Sequence, residues 1–196
     1  DAYKQGAGVN KDNKLAVYWY EKAANKGLVT AQFNLAYIYS DKQSSFKDNK
    51  KSVYWYRKAA KQGDAAAQNN LAVMYKNGSG VKKSVKNALY WYRESAEQGH
   101  ARAGYNLGVM YEKGEGVVKD YKQAFNWYLK SAQKEYIDAL YSLGSLYFYG
   151  RGTTQNYQQA YMWIQLSGDN KKTQKALSVI AAKMTEEELQ QAKTMA

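Results

Sequence analysis

The chain has no cysteine and no proline in 196 residues, and only one histidine. Without cysteine there is no disulfide, no thiolate metal site and no cysteine nucleophile, and the redox compartment stays open. A repeat chain free of both residues folds in cytosol or periplasm alike. No run approaches the ~20 apolar residues of a membrane span, and no leader peptide is visible. Acids are outnumbered, 17 Asp and Glu against 29 Lys and Arg, and no pair of carboxylates is marked for acid–base work. His100 directly follows Gly99 with no partner in view for a metal or a proton relay, so it reads as a solvated turn residue. The segment Gly-Ser-Gly-Val-Lys-Lys-Ser from Gly78 to Ser84 superficially suggests a phosphate loop. It lacks the glycine directly before Lys-Ser, and the same glycines recur elsewhere without that pair. No catalytic, cofactor-binding or metal-ligating residue is therefore expected, and the chain is not expected to be an enzyme.

What is present is a period. The five tryptophans stand at 19, 55, 91, 127 and 163, each step 36 residues. A fixed period of this length marks a stacked repeat protein, whose function lies on a repeated surface rather than in one pocket. Other columns keep the register: Tyr3, Tyr39, Tyr75, Tyr111 and Tyr147; Leu35, Leu71, Leu107 and Leu143, followed by Ala36, Ala72, Gly108 and Gly144; Ala16, Ser52, Ala88, Ala124 and Ala160. Tyr20, Tyr56, Tyr92 and Tyr128 follow the tryptophans. Large and small residues in fixed columns are what identical layers need to interdigitate. This places the Trp and Tyr columns in the core, the Trp column largely buried between layers, rather than at stacking sites for a carbohydrate or cofactor.

Each unit reads as two helices. From Asn13 to Lys26, Ala16, Trp19, Tyr20, Ala23 and Ala24 fall at helical spacing, with Asp12 as N-cap and Gly27 as the left-handed stop. From Thr30 to Ser40, Ala31, Leu35, Ile38 and Tyr39 share a face. The turns that follow carry Gly78 and Gly80, Gly114 and Gly116, Gly150 and Gly152, with Gly6 and Gly8 matching at the start. Beyond the last Trp, Thr173 to Lys183 reads as a helix, and Thr185 with Glu188 resembles a capping box whose acids suit the positive end of the next helix.

The joint pattern Ala-x-x-x-Leu-(Ala/Gly)-x-x-Tyr-x-x-Gly-x-Gly-Val, then Ala-x-x-Trp-Tyr-x-x-(Ala/Ser)-Ala-x-x-Gly, resembles the Sel-1-like repeat (SLR), a relative of the tetratricopeptide repeat. The segments Ala67–Tyr75 and Trp91–Gly99 show it best, and the resemblance covers residues 1–168. It implies an all-α fold: a right-handed α-α superhelix, or solenoid, of about five 36-residue helix-pair repeats serving as a protein-interaction scaffold. The first repeat is truncated, and residues 169–196 form a C-terminal helical cap over the last apolar face. Three departures stand out. The turn from Lys42 to Phe46 has lost both glycines and must take another path. Glu135 replaces the glycine that ends a Trp helix, and the proline common after Gly-Val is absent. The missing initiator Met suggests a mature or trimmed piece. With the family likeness it favours a bacterial, periplasmic or secreted monomer, with the cytoplasm left open.

The resemblance also orients the first helices towards a concave groove. Partner contacts are then expected at Phe33, Asn34, Tyr37, Asn69, Asn70, Lys76, Tyr105, Asn106, Glu112 and Tyr141. A row of carboxamides at Asn34, Asn70 and Asn106 could clamp an extended peptide backbone, or could bond to neighbouring helices instead. The net charge of +12 gathers at the turns, at Lys50, Lys51, Lys82, Lys83, Lys86, Lys119 and Lys122. Cations are disfavoured at helix N-termini, so this edge is either a solvated flank or a site for an anionic partner such as peptidoglycan or another envelope polymer. Nucleic acid is disfavoured, since no recognised module is present.

Overall fold

The structure, a computed structural model, describes residues 13–195. It is built from eleven α-helices, with no strand among the described residues. Tyr3, Gly6, Gly8 and Asp12, to which the repeat pattern assigns a core ring, a turn and a cap, lie outside them. The chain divides into two compact units, Asp1–Ser95 and Ala96–Ala196. The first holds α1 (Asn13–Asn25), α2 (Val29–Ser40), α3 (Asn49–Lys61), α4 (Ala65–Asn77) and most of α5 (Val85–Glu97). The second holds α6 (Ala101–Lys113), α7 (Tyr121–Ala132), α8 (Ile137–Tyr149), α9 (Tyr157–Leu166), α10 (Lys171–Ala181) and α11 (Glu186–Thr194). Trp-bearing helices α1, α3, α5, α7 and α9 thus alternate with Leu-bearing helices α2, α4, α6 and α8, which is the expected helix-pair repeat.

Within the first unit α2 packs on α1 and α3, and α3 also on α4. Leu35, Ala36, Leu71 and Ala72 are fully buried. Polar side chains complete these layers. Ser52 Oγ donates to the Ala36 carbonyl at 2.8 Å. Gln32 and Gln68 each send Nε2 to the carbonyl of a preceding Trp helix, Ala24 and Ala60, both at 3.1 Å. These carbonyls are near helix C-termini and also accept from the Gly27 and Gly63 amides, so each bond gives a buried glutamine amide a partner where an unpaired one would be costly. Within the second unit α7 packs on α6 and α8, and α9 on α8, α10 and α11. Here Gly108 and Gly144 stand where the first unit has alanine. A Cβ on Gly108 would lie 2.6 Å from the Tyr128 ring, and one on Gly144 would lie 2.6 Å from Ile164.

The Trp column is not the core, which corrects the expectation drawn from the sequence. Trp55 is buried, but Trp19 is 52% exposed and Trp91, Trp127 and Trp163 are only half-buried. The core ring is the following tyrosine: Tyr56, Tyr92 and Tyr128 are at most 2% exposed. Helical geometry explains the choice. At about 100° per residue, Tyr20 stacks one turn above Ala16 on the buried arc, and Trp19 falls on its flank. There the first three indoles lie edge-on to the tyrosine before them, at 5.3 Å for Tyr18–Trp19, 4.8 Å for Tyr54–Trp55 and 4.9 Å for Tyr90–Trp91.

The turns behave as the glycine register requires. Gly78, Gly114 and Gly150 end their helices in the left-handed region. Gly80 and Gly152 are needed for space as well: a Cβ there would fall within 2.2 Å of the Asn49 carbonyl oxygen and 2.1 Å of the Tyr121 carbonyl oxygen. The glycine-free turn after α2 does take another path. Its own side chains brace it, Asp41 accepting from the Gln43 amide and Ser44 from the Phe46 amide. It nonetheless closes like its sisters, with the Asp48 amide on the Tyr39 carbonyl at 2.9 Å, as Ser84 bonds to Tyr75 and Asn156 to Tyr147. Glu135 keeps the positive φ of the glycine it replaces, at 57°. The Thr185–Glu188 capping box forms at the start of α11.

Candidate functional site

On α2 the buried side carries Ala31, Gln32, Leu35, Ala36 and Tyr39. Phe33, Asn34 and Tyr37 stand on the other side. Tyr37 is 49% exposed, while Phe33 and Asn34 are half-buried. Phe33 rests edge-on against Tyr56 at 5.7 Å, which fixes an aromatic ring at the surface without side-chain freedom to lose on binding. The Asn34 amide has no hydrogen-bond partner among the described residues. On α4 the neighbouring positions are used differently. Asn69 is 1% exposed, so it belongs to the packed layer and not to the open face, contrary to the expected contact role. Its Nδ2 donates to Asn70 Oδ1 at 3.1 Å, and Asn70 Nδ2 donates to the Tyr56 hydroxyl at 3.2 Å. The Asn70 amide is thereby tied into the layer. Lys76 is half-buried at the end of the same helix.

The second unit repeats this device with different groups. The Tyr128 hydroxyl donates to Glu112 Oε2 at 2.6 Å. Burial, reinforced by that carboxylate, pushes the Tyr128 phenol far above its ordinary range, while Ser142 offers a smaller opposing hydrogen bond. Tyr56 is likewise raised, chiefly by burial, with Ser40 and Asn70 opposing. In both units a buried tyrosine from a Trp helix brings its hydroxyl to the polar columns of two successive Leu helices. Tyr105 lies between Tyr128 and Tyr136, at 5.6 and 5.3 Å. Asn106 is half-buried. Tyr141 is half-buried with Lys172 Nζ 3.7 Å above its ring.

The lysine edge is exposed throughout: Lys50, Lys51, Lys82, Lys83 and Lys86 in the first unit, Lys119 and Lys122 in the second. Lys51 lies over the Tyr39 ring at 5.2 Å and Lys119 over Tyr121 at 4.7 Å. None of the seven is held in an ion pair among the described residues. Asp48 and Asp120 cap α3 and α7 and place a negative charge in the same turn as their lysines. Ser84, which accepts from the Asn87 amide, serves at α5, so Lys82, Lys83 and Lys86 have no such neighbour. His100 is not merely solvated: its Nδ1 accepts from the Ala103 amide at 3.3 Å, as the N-cap of α6. Among the described residues no group of three or more His, Asp or Glu could hold a metal ion, and no helix is long and apolar enough to cross a membrane.

Two features escaped the sequence. One is the pair of buried glutamines, Gln32 and Gln68, whose 36-residue spacing was a usable signal. The other is a half-enclosed cavity of about 280 Å³ between α8, α9 and α10, with Lys172 and Lys175 at its rim. It lies where the period fades, so no column pointed to it.

A model of the Sel1 repeat matches the chain five times, over residues 1–28, 29–64, 65–100, 101–136 and 137–171. A protective antigen of uropathogenic Escherichia coli displaying an SLR fold is similar at 34% identity with a TM-score of 0.89. That match covers 99% of this chain and 42% of the antigen, so the chain spans less than half of its length. A Sel1 repeat protein from Oxalobacter formigenes is similar at 34% identity and a TM-score of 0.84, over 99% of this chain and 79% of that one. A cysteine-rich protein of Helicobacter pylori is similar at 27% identity and a TM-score of 0.53, over 68% and 96% of the two chains. No curated protein matches the chain.

Proposed function

The chain belongs to the Sel1 repeat family, whose members generally act as protein-interaction scaffolds, and on that premise we propose that its open Leu-helix faces bind a peptide or protein partner without catalysis. The observation that carries this is the α2 face. There an exposed tyrosine, an aromatic ring fixed edge-on and an amide with no partner among the described residues stand side by side on Tyr37, Phe33 and Asn34. Rigid aromatics beside polar groups of fixed direction dominate interfaces. Tyr105, Asn106, Glu112 and Tyr141 offer the corresponding face in the second unit, with Glu112 held in place by Tyr128. Lys76 and Asn70 act at the margin of the first face, Asn70 chiefly by fixing Tyr56. Residues 169–196 then serve as a helical cap on the last repeat, with α11 docked on α9.

A second reading rests on the unpaired lysines. Lys82, Lys83 and Lys86 concentrate charge at one helix start with no acid in the turn, which suits an anionic envelope polymer. Affinity capture from envelope and cytosolic fractions of the source cell supplies the partner. Binding is then measured for Phe33→Ala/Tyr37→Ala, for Lys82→Gln/Lys83→Gln/Lys86→Gln, and across a salt series. Face binding requires at least a tenfold loss in the aromatic variant and a shallow salt dependence. A loss confined to the lysine variant, with steep weakening as screening grows, transfers the function to the basic edge.

A further inference from the structure

We propose that the cavity between α8, α9 and α10 is a binding site for an apolar monocarboxylate. The proposal stands on that cavity and needs no protein partner on the helix faces. Its walls are apolar. Tyr141 and Phe148 come from α8, Ile164 from α9 and Ile180 from α10, and both isoleucines are 2% exposed. Ser145 Oγ in this wall donates to the Tyr141 carbonyl at 3.0 Å. The polar groups left in the wall are the Tyr141 and Tyr149 hydroxyls, too few to satisfy the several buried hydroxyls of a sugar or a nucleotide.

The rim is cationic. Lys172 Nζ sits 3.7 Å above the Tyr141 ring, which holds the ammonium at the mouth. Lys175 lies one turn further along α10 and has no ion pair among the described residues. Lys171 precedes them, so three lysines fall in the first turns of α10, where positive charge opposes the helix dipole. Asp169, the nearby acid, accepts from Gln174. A bound anion relieves that repulsion. Two ammonium groups act as point charges for an anion at the mouth, and the small apolar interior behind them suits a carboxylate on a short apolar stem.

Size fixes the rest. A cavity of about 150 Å³ holds benzene, and drug-sized ligands occupy about 300–1,000 Å³. At about 280 Å³ this one takes a single ring or a short branched chain, with the carboxylate left at the rim. Such a group comes from a free acid or from the apolar C-terminal residue of a polypeptide.

The test is a titration of the whole chain, followed by amide and side-chain NMR shifts. The probes are 3-phenylpropionate, 3-phenylpropionamide, and a Gly-Ser-Gly-Ser-Phe peptide with a free or an amidated terminus. At least one free acid should shift the resonances of Tyr141, Phe148 and Ile180, and its amide should bind at least tenfold more weakly. Lys172→Gln/Lys175→Gln should abolish that preference, while Lys172→Arg/Lys175→Arg keeps it. Ala176→Phe, which fills the cavity but retains both charges, should abolish binding. Preference for phenylpropionate identifies a small-molecule site, and preference for the peptide acid identifies a chain terminus. Equal binding of acids and amides, no binding of either acid, or shifts remote from α8 and α10 overturns the proposal.

Discussion

Raising the pH should unfold this protein through its tyrosines. Tyr39, Tyr56 and Tyr128 are at most 3% exposed. Tyr39 donates to Glu21 and Tyr128 to Glu112, each at 2.6 Å. All three phenols are raised above their ordinary value, first by burial, and in Tyr39 and Tyr128 further by the adjacent carboxylate. Ionising either of the latter in place would set a phenolate against a carboxylate. The unfolded chain has no such constraint and releases these protons near pH 10. A raised folded pKa means the folded state keeps protons that the unfolded state sheds, so the stabilisation is complete below about pH 10 and is lost as the pH rises. Each phenol that stays protonated costs about 1.4 kcal/mol per pH unit above that point. By about pH 12 Tyr39 and Tyr128 together remove roughly 5 kcal/mol, comparable with the whole stability of a marginal domain, and Tyr56 acts in the same direction. Tyrosinate absorbance and helical circular dichroism, recorded together through the titration, should show a late fraction of the ionisation coinciding with loss of helix. Tyr128→Phe should flatten the alkaline slope by one phenol and cost about 1.5–3 kcal/mol at neutral pH, since its hydroxyl bonds to a charged group. Ionisation of every tyrosine in one wave, with helix content unchanged, would refute the reasoning.

Three further outcomes are expected. Glu135→Gly should raise stability by about 1 kcal/mol, because glycine removes the steric cost of a positive φ, and a lower melting temperature would count against it. Gly80→Ala should cost about 3 kcal/mol, combining left-handed strain with the collision against the Asn49 carbonyl, and thermal melts would expose a neutral change. Tyr56→Ala should cost about 3–5 kcal/mol, whereas Trp19→Ala, at an exposed position, should cost under about 1 kcal/mol; denaturant midpoints in the reverse order would return the tryptophans to the core.

The helix-pair fold was legible because its columns repeat. One copy of Ala-x-x-x-Leu-Ala is ambiguous, but several in register with glycines at the turns leave a single architecture. Assignment of the core ring was not legible from register alone, because the Trp19 column keeps all five copies and the Tyr20 column four, with Ile164 in the fifth place. Only the angle each makes with Ala16 decides which points inward. That Phe33 and Tyr37 lie off the buried side was legible, and the burial of Asn69 was not, since helical phase on α4 shows neither the reach of Tyr56 from α3 nor the hydrogen bond by which Asn70 meets it. The sequence left the carboxamide column open between a clamp and a structural bond because it records a donor and an acceptor, not the neighbour, here Tyr56, that claims the amide of Asn70. Lys172 and Lys175 had no column at all.

Gly108 and Gly144 limit how freely these repeats can be exchanged. Each lets its helix approach the next Trp helix closer than a methyl group would permit, with Tyr128 and Ile164 filling the space. Ala36 and Ala72 in the other unit keep that methyl. Copies that obey one consensus therefore meet their neighbours through different contacts, and each contact belongs to two helices jointly. A repeat excised from one position and spliced into another would bring half of such a pair and meet the wrong other half. Gene duplication can lengthen this chain only if each glycine travels with the side chain that fills its space, or if the new neighbours later drift to fit.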